Sequence, residues 1–165
     1  MISMLPSDNF LFKMNTTNGQ FVSSFNSTGI KYFAPANSDH RYDITDLIVE
    51  SNGKIVLSGK KHKVNNGSSG SFWNALAMRF LPTGAADNSF ATNGIGLYNS
   101  NPTYFQEATN IHVNKAGDYI TTGVTYNGVD YDYSALKLKT NGIPDATFGT
   151  SGWQIHDLTF QGKTE

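Results

Sequence analysis

The sequence predicts an all-β chain, an array of four-stranded antiparallel blades of the β-propeller type, about two and a half units long. Three observations predict it. A Gly–Phe–Gly triplet recurs three times with one spacing, a paired-glycine anchor recurs twice between the triplets, and no window shows a sustained helical period.

The triplets are Gly19, Phe25, Gly29; Gly84, Phe90, Gly94; and Gly142, Phe148, Gly152. In each, Phe follows the first Gly by six residues and the second Gly follows Phe by four. The second anchor pairs Gly53 and Gly59 with Gly117 and Gly123, with Leu47 and Val49 matching Ile111 and Val113. Triplet offsets of 65 and 58 residues and an anchor offset of 64 mean that loop lengths vary while the framework is kept.

Each unit then divides into strands and tight turns. In the central unit, 44–106, Ile44 to Glu50 and Lys54 to Ser58 are β-prone and meet at Asn52-Gly53, which suits a two-residue hairpin. A third run, Trp73 to Leu81, carries Arg79 just before the triplet, and Ile95 to Tyr98 follows it. The last unit, 107–158, repeats this order, with Ala116-Gly117 at the hairpin, Tyr133 to Lys139 carrying Lys137, and Trp153 to His156. The first, 10–43, holds only the two trailing strands, and Lys13 matches Arg79 and Lys137 if one residue is inserted before Gly19. About ten strands result, in one repeat domain over 10–158, with a leading segment 1–9 and a tail 159–165.

Composition agrees. Thirteen per cent of residues are aromatic and 15% charged, so Asn, Ser, Thr and Gly carry solubility, a balance typical of exported β proteins. A net charge of −1 gives no support to nucleic acid or anionic membrane as a partner. The absence of cysteine excludes disulfides and thiolate metal sites. No signal peptide and no apolar run of membrane-spanning length is read, so an extracellular or cell-surface location implies a lost signal or an internal piece of a longer chain.

With those residues in view, the chain resembles the bacterial delta-60 repeat family. Asn52-Gly53-Lys54-Ile55-Val56-Leu57-Ser58-Gly59 carries one family motif. Asp145-Ala146-Thr147-Phe148-Gly149-Thr150-Ser151-Gly152 carries the other closely, and Asp87-Asn88-Ser89-Phe90 more loosely. Val22 departs from the family Asp, and Asn26 and Ala91 depart from the Gly after Phe. The resemblance covers roughly residues 10 to 158. It implies a propeller of four-stranded blades in an exported bacterial protein, often a large surface protein; it does not imply a catalytic activity, because the family has none assigned.

Two and a half units cannot close a ring, because propellers need about four to eight blades. Partners are therefore expected to be other blades of a longer chain or copies of this one. The repeat glycines and phenylalanines read as framework, the former for turns and the latter buried beneath them. Asp87 and Asp145, three residues before the Phe, read as turn caps. Arg79 and Lys137 read as residues that pack their stems and pair with a neighbouring unit.

Ligand-binding candidates lie where the copies differ. The segment Asn127 to Tyr133 reads as a loop whose Asp130 and Asp132 could give oxygen ligands to calcium, without the full calcium-loop pattern. Tyr131, Tyr133 and Trp73 could stack on sugar rings. The corresponding basic loop runs from Lys60 through Gly70 to Trp73. His40, His62, His112 and His156 lack metal-ligand spacing, no catalytic motif occurs, and no cofactor is expected beyond the calcium weighed. The leading expectation is a non-catalytic structural or interaction module. The alternatives are a lectin-like glycan-binding propeller and a glycan hydrolase or lyase.

Overall fold

The computed structural model describes residues 9–37, 39–63 and 73–157, in ten strands with no helix among them. Residues 1–8, 38, 64–72 and 158–165 lie outside the described residues. Among the described residues, no helix is long and apolar enough to cross a membrane.

Strands β1 (Asn9–Phe12) and β2 (Ile30–Phe33) form a two-stranded sheet. Strands β3 (His40–Val49), β4 (Ile55–Lys63), β5 (Asn74–Phe80) and β6 (Ile95–Tyr98) form a second. Strands β7 (Phe105–Val113), β8 (Tyr119–Tyr126), β9 (Tyr131–Leu138) and β10 (Trp153–His156) form a third. All pairs are antiparallel and the four-stranded sheets are simple meanders.

The hairpin turns differ from the two-residue type expected. Glu50 N–H donates to Lys54 O and Gly53 N–H to Glu50 O, each at 2.8 Å, which makes a three-residue loop. Only Gly53, at φ +81°, enters the left-handed region, so one residue rather than two bears that conformation. Gly117, at φ +83°, repeats it between Asn114 and Asp118.

Alternation along the strands decides which face meets which neighbour. On the central sheet, Ile55, Leu57, Leu76, Met78 and Phe80 pack towards the first sheet, against Leu11 and Phe33. Val56, Ala75, Ala77 and Tyr98 face the other way, onto Ile111, Tyr119, Leu136, Leu138 and Trp153 of the third sheet. Covered on both sides, β4 opens with five consecutive buried residues and β5 ends with six. Strand β9 is covered on one side only, and its burial alternates.

Candidate functional site

The feature that the units share is a joint between each and the next. After its Phe, the chain takes a left-handed residue, Asn26 at φ 48° and Ala91 at φ 44°. That bend sends the Phe ring into the following unit, and Phe25 and Phe90 have no exposed surface. Each ring lies on the first Gly of the next triplet. A Cβ on Gly84 would come within 3.0 Å of Phe25, and one on Gly142 within 2.8 Å of Phe90. Beside each ring runs one backbone bond, from Asn26 N–H to Thr83 O and from Ala91 N–H to Asn141 O, both 2.8 Å. Burying a ring this way contributes about 1.5–3 kcal/mol.

Charged groups brace the same turns. Asp87 Oδ1 accepts from the Ser89 N–H at 3.0 Å, while Oδ2 meets Arg79 Nε and Lys54 Nζ, each at 2.8 Å. Burial opposes ionisation of Asp87, but Lys54, Ser89 and Arg79 outweigh it and hold its carboxyl well below the usual range. In the last unit Asp145 pairs with Lys137 at 2.7 Å and caps Thr147, and it too lies well below the ordinary carboxylate range. Val22 takes this position in the first unit: its N–H donates to Lys13 O, as Asp87 donates to Arg79 O and Asp145 to Lys137 O. Lys13 therefore aligns with the other two basic residues.

Arg79 also crosses to the next unit. It donates to the Tyr119 hydroxyl at 2.9 Å and to Thr140 O at 2.5 Å, and its guanidinium lies 4.9 Å from the Phe90 ring centre. Tyr119 in turn donates to Glu50, and burial, then Glu50, pushes its hydroxyl up to about 12. Nothing in the spacing of the repeat singles out Tyr119 or Glu50, which are 69 residues apart.

The residues expected to bind ligands separate. Trp73 is half-buried, with Lys60 Nζ 4.1 Å above its ring and Phe105 at 5.7 Å. Tyr131, Asp132 and Tyr133 are not in a loop but on β9, because Tyr126 pairs with Tyr131 and only 127–130 turn. Tyr131 and Tyr133 are exposed on the outer face while Asp132 is buried. Asp130 and Asp132 come together with Asp157, which the sequence did not suggest; one oxygen of each lies within 4.8 Å of the others. These three are the carboxylates that could hold a cation. The Asn127 amide donates to Asp130 at 2.8 Å and to Asp132 at 3.1 Å, so part of that acidic corner is already engaged. His62, on β4, lies 3.0 Å from Asp43 on the adjacent β3 of the second sheet, away from that corner.

Two grooves run between the second and third sheets. One of about 810 Å³ lies beside β6 and β10, and no carboxylate among the described residues lines it. The other, about 630 Å³, lies between the hairpin turns over Arg79 and Tyr119, with Glu50 as its only carboxylate among the described residues.

The ends of the array leave the joint half-made. Phe10, Phe12, Met14, Phe21 and Tyr32 are 44–52% exposed on the outer face of the two-stranded sheet. Phe148, the third ring of the series, is only half-buried, whereas Phe25 and Phe90 are fully covered. In comparison with known proteins, no family model matches this sequence and no curated protein matches it.

Proposed function

We propose that this chain is a non-catalytic structural and interaction module, a run of propeller-type blades from an exported bacterial repeat protein of the delta-60 kind. One observation carries the reading: the same joint, a Phe on a Gly with a backbone bond beside it, recurs between successive units and, among the described residues, is half-made at Gly19 and at Phe148. A joint repeated in this way serves to add units. The two carboxyls with strongly lowered affinity for protons, Asp87 and Asp145, are turn caps paired with cations and are poor proton donors.

In repeat arrays, stability grows as neighbours cover one another. A chain extended at its end by a second copy of residues 107–158 should therefore melt at a higher temperature than the parent, in dilute solution where both are single chains. One further covered interface should add roughly 4–8 °C. An unchanged melting temperature, with the added segment unprotected from hydrogen exchange, would remove the array reading.

A second reading, glycan binding, is favoured by Tyr131 and Tyr133, both more than half exposed on one face of β9. A glycan array tests it, and loss of every signal in a Tyr131→Ala, Tyr133→Ala variant is the expected result. A signal that survives in that variant places the glycan elsewhere.

A further inference from the structure

We propose that a second copy of this chain docks head to tail on the first, with Phe148 and Gly149 of one copy seated on the Asn18-Gly19 turn of the other. The inference rests on the array reading and names the partner that the open joint accepts.

Each joint has two halves. The tail half is the Phe ring with the N–H of the residue after it, and the head half is a left-handed Gly with the carbonyl before it. Inside the chain they meet as Phe25 with Gly84, and as Phe90 with Gly142. One half of each kind is left over. Phe148 is the unused ring, and no backbone carbonyl among the described residues takes the Gly149 N–H. Gly19 is the unused glycine: among the described residues nothing but its own chain neighbours lies closer to its Cβ position than Met14 at 4.0 Å, and no backbone N–H takes Asn18 O.

Both leftovers already have the shape of the joined pairs. Gly149 has φ 52°, against 48° and 44° at Asn26 and Ala91. Gly19 has φ 68°, against 86° and 78° at Gly84 and Gly142.

The sheet faces agree with the turns. Lys13 aligns with Arg79, since each donates its N–H to the last glycine of its triplet, Gly29 or Gly94. Counting back, Phe10 and Phe12 occupy the positions of Leu76 and Met78, which are buried against the preceding unit with at most 1% exposed. What covers that face inside the chain is the opposite face of another unit. Among the described residues, the one such face left open is the outer side of the third sheet, where Ala135 holds the position of Ala77 and Leu11. Both missing halves thus belong to this chain. Its own two ends cannot meet, because two and a half blades fall short of a closed ring. A head-to-tail contact of this kind continues from copy to copy until a ring closes.

Sedimentation velocity across micromolar to millimolar concentration tests the inference with three forms: the native chain, Phe148→Ala for the tail half, and Phe12→Asp for the head half. Phe12 is exposed and Phe148 only half-buried, so each variant should keep the native strand signal in circular dichroism, which is checked first. The native chain should gain mass with concentration in steps of one chain. Each variant alone should stay a single chain. Mixed, each retains the half the other lacks, so they should form a two-chain species and stop there.

Three results overturn the proposal. A native chain that stays single at the highest concentration shows that no copy docks. Dissociation by Phe12→Asp but not by Phe148→Ala shows two apolar faces meeting symmetrically. Failure of the mixture to form a pair excludes complementary halves. A longer natural form whose further units cover Phe12 within one chain also belongs to the first result. None of these touches the array reading, which stands or falls on the extended chain described above.

Discussion

Asp87 shows how a single side chain holds a joint. One carboxylate caps the turn below Phe90 and receives both Arg79 and Lys54, and Arg79 then reaches Tyr119 and Thr140 in the next unit. The Arg79 and Asp87 side chains are 6% and 5% exposed, so removing one charge leaves the other buried without its partner. Asp87→Asn should cost roughly 2–3 kcal/mol at neutral pH, discounted for the more exposed Lys54. The pH dependence follows from the direction of the shift. An unfolded Asp takes its proton near pH 3.9, while the folded carboxyl resists until the pH is lower. Between those points the unfolded state holds more protons, so stability rises with pH, is fully present above that value and is lost as acid titrates the folded group. Urea denaturation of both forms, at neutral pH and below about pH 3, should show the gap narrowing in acid. A gap of constant size would mean that ionisation of Asp87 is not its source.

At the scale of elements, Gly19 and Gly142, two of the three glycines that begin a triplet, look alike in sequence and differ in surroundings. Gly142 has φ 78° and the Phe90 ring against it, whereas Gly19 has φ 68° and only the end of Met14 near it, at 4.0 Å. Gly19→Ala should therefore cost about 1 kcal/mol, for the left-handed backbone alone. Gly142→Ala adds a displaced aromatic ring and should cost about 2–3 kcal/mol. Equal losses in thermal denaturation would separate the glycine from the joint.

The same contrast shows what the sequence made legible. Ile30–Phe33, Ile95–Tyr98 and Trp153–His156 coincide with β2, β6 and β10 because turn chemistry is local and the triplet marks it. Asp-Tyr-Asp-Tyr at 130–133 read as loop because its polar residue, Asp132, points inward and its tyrosines outward, the reverse of the usual alternation. Asp157 joins Asp130 and Asp132 only through the pairing of β10 with β9. The open face was written in period two, as Phe10 and Phe12 on β1, but its meaning needs the register that places them at Leu76 and Met78.

Across the whole molecule, coverage of each sheet sets its resistance to opening. The central sheet has neighbours on both faces, the third on one, and the first is a two-stranded sheet with aromatic side chains exposed on its outer face. A quasi-one-dimensional array has a stability that sums over units and interfaces, so its ends open before its middle. Native-state hydrogen exchange in dilute solution should rank the amides accordingly. Protection should be greatest in β4 and β5, intermediate in β8 and β9, and least in β1 and β2. The order has a further consequence for the joint. If a second unit, whether appended or from another copy, covers Phe10 and Phe12, β1 and β2 should gain most, because their outer face changes from solvent to packed side chains. If it covers only Phe148, the gain should appear in β9 and β10. Uniform protection from β1 to β10 would instead describe one indivisible core, in which the repeats are a feature of sequence without being units of stability.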